Sequence, residues 1–302
     1  MSRVYVAPIS FGLGDLVVSL PAIQALIARG QHDGTETWLV ARSDAQMGLA
    51  DRIVGLTGSV EEQSFDRNHS DGAVIDLRDH PLQRDWWWGS PEFERAFGAL
   101  TINDILSRIC ADLGIAADFT RPVPLAASPR CEYGSSVLLV TDSDGASKKW
   151  PVGAWKSLAE SIRARGLDVR IVTRDEVADE MRVLGVEPAR ATSPADALDV
   201  LGSAAAVIGI DTGLTHLAVQ QGTPTVTICG TPAVFFRPWP HARVVAGDRC
   251  DDACIAGERQ RAYNTVVDLR ALQWSPRTCV AGGHCLDAVQ PEDVLGALAD
   301  VL

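Results

Sequence analysis

No run in this sequence approaches the roughly 18 uninterrupted apolar residues that a membrane-spanning helix requires, so no integral membrane segment is expected. The N-terminus also lacks the charged, apolar and small-residue succession of a secretory signal, and the expected location is the cytoplasm. Basic residues are in deficit: 27 Lys and Arg stand against 39 Asp and Glu, a net charge of -12. That balance argues against nucleic acid or anionic lipid as a general partner, while leaving room for a local cationic site. With no export signal expected, the seven cysteines read as reduced thiols rather than a disulfide framework. Internal repeats and low-complexity tracts are missing too. What is present is an ordinary globular composition, 46% hydrophobic and 22% charged, in a 302-residue chain long enough for two domains.

Short β-branched apolar runs occur at Val4 to Ala7, Trp38 to Ala41, Ala73 to Asp76, Val137 to Thr141, Val169 to Thr173, Ala206 to Ile210 and Thr225 to Ile228, with helical spacing between most of them. This alternation predicts an α/β protein with mainly parallel sheets covered on both faces. Leu16, Leu20, Ile23 and Ile27 share one helical face, in which Pro21 predicts a kink or a late start. Leu158 and Ile162 share another, in a helix starting near Trp155. Pro122, Pro124 and Pro129 interrupt the periodicity between Arg121 and Arg130. The expected boundary follows: residues 1–128 form one Rossmann-like domain and residues 129–302 another. Ligands of open parallel sheets bind at the carboxyl ends of the strands, so the cleft between the two is the expected site. Pro291, Glu292 and Asp293 open a closing helix that continues through Val294, Leu295, Leu298 and Leu302; packing back on the first domain is one expectation for it.

Three segments could carry chemistry. Gly12-Leu13-Gly14-Asp15 follows the first strand, and its glycines permit unusual backbone angles and close approach of a ligand. Val17 stands where a dinucleotide fingerprint needs its third glycine, which argues against a nicotinamide oxidoreductase. Asp15 is either a helix cap or a general base at the cleft. Thr141 to Pro151 (TDSDGASKKWP) is either a solvated loop or a diphosphate cradle of hydroxyls, backbone N–H groups and lysine. Asp211-Thr212-Gly213-Leu214-Thr215-His216 carries a buried strand into a helix, whose first N–H groups and positive dipole end suit phosphate. Asp211 would cap that helix or orient its neighbours, and His216 lies one turn beyond Thr212 on the same face.

VYVAPISFGLGDLVVSLPAIQAL, SKKWPVGAWKSLAESI and GIDTGLTHLAVQQGTPTVTICG together resemble the family nine glycosyltransferases, which include the lipopolysaccharide heptosyltransferases. The resemblance implies a GT-B fold and an inverting, metal-independent transfer of a sugar from a nucleotide-sugar donor, commonly ADP-heptose. The acceptor is a hydroxyl of a glycan, a protein or a small molecule. Residue by residue, Asp15 matches the family's catalytic base, in the loop Gly12, Leu13 and Gly14, and Lys148 the lysine beside the donor diphosphate. Asp211, Thr212, Gly213 and His216 match the donor-binding block. Ser143 and Asp144 stand where members often have paired hydroxyls. Glu176, or Asp175 beside it, matches an acidic residue that holds the donor ribose.

Cys250, Cys254, Cys279 and Cys285 gather four thiols near the C-terminus. They form either an unremarkable thiol set or a structural zinc or iron site, the latter because some members resemble this in having cysteine-rich tails that hold iron. Trp86-Trp87-Trp88 read as packing of a loop or as sugar-facing aromatics. A non-catalytic nucleotide-sugar-binding or assembly protein is the main rival class, and an NAD(P)-dependent oxidoreductase the second.

Overall fold

The computed structural model describes residues 2–68, 70–86, 88, 91–143, 148–230, 236–247 and 284–302. The first lobe is built on a parallel sheet in the order β3-β2-β1-β4, formed by β1 (Arg3–Ala7), β2 (Glu36–Ala41), β3 (Gly58–Glu61) and β4 (Gly72–Asp76). In register, Val4 faces Thr37 on one side and Ala73 on the other. Its helices are α1 (Leu13–Asp33), α2 (Asp44–Ala50), α3 (Pro81–Arg84), α4 (Pro91–Phe97) and α5 (Ile102–Asp112).

The second lobe carries β5 (Ser136–Val140), β6 (Asp168–Thr173), β7 (Glu187–Arg190), β8 (Ala206–Ile210), β9 (Thr225–Cys229) and β10 (Ala242–Ala246), all parallel, in the order β10-β9-β8-β5-β6-β7. Helices α6 (Val152–Ala164), α7 (Pro194–Leu201), α8 (Gly213–Gln221) and α9 (Pro291–Ala299) cover it. β5, β8 and β9 are buried along their whole length, as sheet strands covered on both faces must be. The two parallel-sheet α/β lobes are those of a GT-B architecture.

Each strand read from the sequence is present, and β3, β7 and β10 are added to them. Helix α1 starts at Leu13 and runs through Pro21, so the expected late start is wrong. Leu16, Leu20, Ile23 and Ile27 are all buried as its spacing predicts. Among the described residues α1 is the one helix long and apolar enough to cross a membrane. Its apolar face is instead taken up by protein. Leu16, Leu20 and Ile23 belong to one continuous cluster with Leu138 of β5, Leu198 and Leu201 of α7, and Leu217 and Ala218 of α8.

The lobes therefore share a core, with α1 packed on α8 and α2 on α7. Polar links accompany it: Arg52 Nη2 lies 2.8 Å from Asp199 Oδ2, and the Ser128 N–H donates to Asp199 Oδ1 at 2.6 Å. Helix α9 corrects one expectation. It packs on α6, β9 and β10 of its own lobe, where Val294, Leu295 and Leu298 join Val137, Trp155 and Val226 in a second cluster. A stripe of apolar residues is satisfied by the nearest exposed sheet face, and here that face belongs to the second lobe.

The α1–α8 contact is close enough to require glycine. A methyl group at Gly213 would sit 2.7 Å from Leu13 Cβ and 3.0 Å from Gly14 N. We expect Gly213→Ala to destabilise the protein by about 1–3 kcal/mol through overpacking, read as a lowered thermal midpoint. An unchanged midpoint would show that the two helices can separate at no cost.

Candidate functional site

Both sheets have a switch point where successive connections leave in opposite directions. In the second it lies between β5 and β8, and in the first between β1 and β4. Crevices form at the carboxyl ends of such strand pairs. The loop after β1 enters α1, and the loop after β8 enters α8, so both helix N-termini are delivered to the same place.

They meet there. A methyl group on Gly14 would lie 2.8 Å from His216 Cδ2 and 3.5 Å from Gly213 Cα. Residues 10–15 and 211–214 are half-buried, while residues 5–9 and 206–210 before them and the helix turns after them are buried. Neither Gly12 nor Gly14 has a positive φ, so these glycines serve space rather than unusual angles. A methyl at Gly12 would come within 2.9 Å of Asp15 Oδ2, and one at Gly14 would strike the His216 ring.

Around the start of α8 the charges are ordered by Asp211. Lys148 Nζ lies 2.7 Å from Asp211 Oδ2 and donates to the Asp211 carbonyl at 3.3 Å. His216 Nε2 is 3.6 Å from Asp211 Oδ1. Of the two roles open to Asp211, the structure shows orientation of neighbours. The cap position is occupied by Thr212, which makes no side-chain cap bond to the first turn. The Thr215 hydroxyl turns inward to the Ile210 carbonyl at 2.7 Å. The opening turn of α8 thus keeps backbone donors with no capping side chain over them, beside a lysine whose side chain is 38% exposed. That is the chemistry of an anion seat.

Burial works to raise the Asp211 carboxyl, but the Lys148 ammonium and the His216 ring outweigh it and hold the group well below the usual carboxylate range. Burial pushes the His216 imidazole below its ordinary value, against the opposing pull of Asp211. His216 is further fixed by stacking on Phe236, centroids 4.3 Å apart and planes 5° from parallel. Its Nδ1 is buried without a hydrogen-bond partner among the described residues.

Sequence reasoning missed Phe236 and Arg237. Arg237 is buried across the lobe boundary, donating to the His216 carbonyl at 2.8 Å, the Val17 carbonyl at 3.4 Å and Gln220 Oε1. Burial brings its guanidinium down to about 9, which still leaves it a cation at neutral pH. The FFRPWP stretch carries no spacing signal that would have singled it out.

The remaining expected residues distribute as follows. Asp15 occupies the third position of α1, half-buried, and its Oδ2 accepts the Gly12 N–H at 2.9 Å, so the capping interaction exists. Ser143 follows β5, its N–H donating to Asp142 Oδ1 at 2.9 Å. Glu176 lies beyond the carboxyl end of β6, which neighbours β5; it is exposed, and its carboxylate pairs with Arg182 at 3.1 Å. Asp144 and Gly145 fall outside the described residues, as do Cys250, Cys254, Cys279 and Trp87. Cys285 is half-buried beside Gly230. Among the described residues no group of three or more His, Cys, Asp or Glu is placed to hold a metal ion. Trp86 and Trp88 are packing residues: Trp86 sits edge-on to Phe97 at 4.8 Å, and Trp88 is buried with its Nε1 donating to the Leu82 carbonyl at 2.7 Å.

The fold and this cleft define a GT-B protein with an anion-ready helix terminus in its second lobe. The family model for glycosyltransferase family 9 (heptosyltransferase) matches residues 132–261. Lipopolysaccharide heptosyltransferase 1 of Pseudomonas aeruginosa is 34% identical over 90 residues, 28% of this chain and 25% of that protein, so the chain matches a quarter of that relative's length. Two solved structures share the fold: a family 9 glycosyl transferase from Veillonella parvula (TM-score 0.68, 14% identity, covering 99% of this chain and 97% of that one) and the E. coli heptosyltransferase WaaC with ADP (TM-score 0.66, 14% identity, 99% and 100%). The similarity to glycosyltransferase family 9 thus lies in the second lobe, across residues 132–261.

The depressed His216 has a consequence for stability. As pH falls, the unfolded chain takes up this proton first, so the contribution is complete above about 6.5 and is lost as pH falls through the lower folded-state value. Asp211, also depressed, adds loss of the same sign at more acidic pH. We expect the thermal midpoint to drop between pH 7 and pH 5, and His216→Phe to flatten that drop in calorimetry. An unaltered slope in the variant would assign the acid sensitivity elsewhere.

Proposed function

We propose that the protein is an inverting glycosyltransferase that moves a sugar, heptose in the reading best supported, from an ADP-activated donor to an acceptor hydroxyl. The observation that carries this reading is the meeting of two helix N-termini across the lobes: one brings Asp15, the other an uncapped first turn flanked by Lys148. The family match of the second lobe and the ADP named with the WaaC structure support the choice of donor.

In the reaction, Asp15 accepts the proton of the acceptor hydroxyl as its oxygen attacks the anomeric carbon. The new C–O bond forms while the bond to the diphosphate breaks on the opposite face. Negative charge grows on the departing diphosphate, where the Gly213 and Leu214 N–H groups, the positive end of α8 and Lys148 are already oriented. Asp211 keeps Lys148 and His216 in place, and its own negative charge is offset by the lysine it holds. Thr212 adds a hydroxyl at the same turn, Ser143 a second after β5, and Glu176 is assigned to the donor ribose. The seat's anion contacts come from the Lys148 N–H groups and the first turn of α8, and the resemblance to family 9 supports a transfer that uses no catalytic metal.

ADP, compared with UDP and GDP, is expected to give the largest rise in thermal midpoint, since a ligand that binds only the folded state stabilises it by about 2.7 kcal/mol at a hundredfold excess over Kd. Asp15→Asn, which retains an oxygen for the Gly12 N–H, should lower turnover by about 10²- to 10⁴-fold with ADP affinity unchanged. Lys148→Ala should weaken ADP binding and turnover together. Saturable ADP binding with neither transfer nor slow donor hydrolysis would leave a nucleotide-sugar-binding protein instead.

A further inference from the structure

The loop that presents Asp15 is held almost entirely by side chains from outside it. Arg42 Nε donates to the Pro8 carbonyl at 3.1 Å and Gln83 Nε2 to the Ile9 carbonyl at 3.1 Å. Gln46 Nε2 donates to the Ser10 carbonyl at 2.8 Å and the Gly12 carbonyl at 2.9 Å, and Ser43 Oγ to the Phe11 carbonyl at 2.7 Å. Every carbonyl from Pro8 to Gly12 thus has a side-chain donor.

Gln46 stands apart within this set. It is fully buried on α2, and its amide is used at both ends: two N–H donors go to the loop, and Oε1 accepts the Arg42 N–H at 2.9 Å. Only one orientation of the amide satisfies two carbonyls and one N–H, so its polarity is set by its surroundings. The peptide joining Phe11 to Gly12 lies between the two carbonyls that Gln46 grips. A planar trans peptide points its C=O and N–H in opposite directions. With the Phe11 carbonyl fixed on Ser43, the Gly12 N–H is aimed away from α2, at Asp15 Oδ2, 2.9 Å distant.

We propose that Gln46 is a positioning residue: it fixes the Asp15 carboxylate through the Gly12 peptide, without itself reaching the cleft. The catalytic consequence rests on the assignment of Asp15 as the general base. Removing the two donors lets the loop relax, and misplacement of a catalytic group costs rate more than donor affinity.

The test pairs kinetics with amide exchange on the full chain. Gln46→Met keeps the side-chain length and loses the donors. Gln46→Glu keeps an oxygen for the Arg42 N–H but turns another toward two carbonyls, and should be the more damaged of the two. In both, the Gly12 amide is expected to exchange at least about tenfold faster while Ile23 and Leu26, inside α1, exchange as before. The kcat should fall about ten- to a hundredfold with the Kd for ADP within about twofold. Unchanged Gly12 exchange in a folded variant, or exchange accelerated equally throughout α1, overturns the inference; so does a Gln46→Glu protein with full kcat. Should the unsubstituted protein transfer no sugar, the functional reading fails on its own, and Gly12 exchange still decides whether Gln46 holds Asp15.

Discussion

Two helix N-termini approach one another so closely that neither Gly14 nor Gly213 has room for a methyl group. Most of what can be said about this protein depends on that contact. It brings the half-buried turn of one lobe to the half-buried turn of the other, and it sets two positive dipole ends beside a single opening. Such an arrangement repels cations and is relieved by an anion. It is held in place by apolar packing of α1 on α8 beneath it and by Arg237, buried between Val17 and His216. Removing any one of these supports would leave the charges but not their geometry.

An acidic chain with a net charge of -12 can house an anion seat because the potential that matters is local. A bare carboxylate at Asp211 would repel an anion at this site. Half-buried between Lys148 and His216, it instead spends its charge on holding a lysine whose side chain remains partly exposed. The neighbouring loop in the first lobe is held in a comparable way, by side-chain donors on its carbonyls. Both halves of the cleft thus rest on groups that do not face it.

The parts of the fold that the sequence disclosed are those where local pattern and burial coincide. β5, β8 and β9 lie inside the sheet, and their unbroken apolar runs are the direct signature of that position. The three strands that were missed, β3, β7 and β10, all lie at sheet edges. An edge strand is hydrogen-bonded on one side only and partly exposed, so GSVE and EPAR need no apolar run to be strands. Pro21 misled for a related reason: tertiary burial of α1 on both lobes outweighs the local cost of a proline inside the helix. The closing helix was legible as a helix, yet its packing partner was not, because an apolar stripe records that a face is buried without recording against what.

At the site the division is similar. Sequence alone determined which residue types stand at strand ends: Asp15 after a glycine pair, Lys148 after β5, and Asp211 to His216 leading into α8. Those assignments follow from short-range geometry, since a strand running into a helix places its first-turn N–H groups wherever that helix begins. Tertiary structure decided that Asp211 pairs with Lys148 rather than capping the helix, that Gly12 and Gly14 are there for space, and that Gln46 and Arg237 support the cleft. Each of these depends on atoms brought together from distant parts of the chain, and no spacing within a single segment encodes a distance between segments.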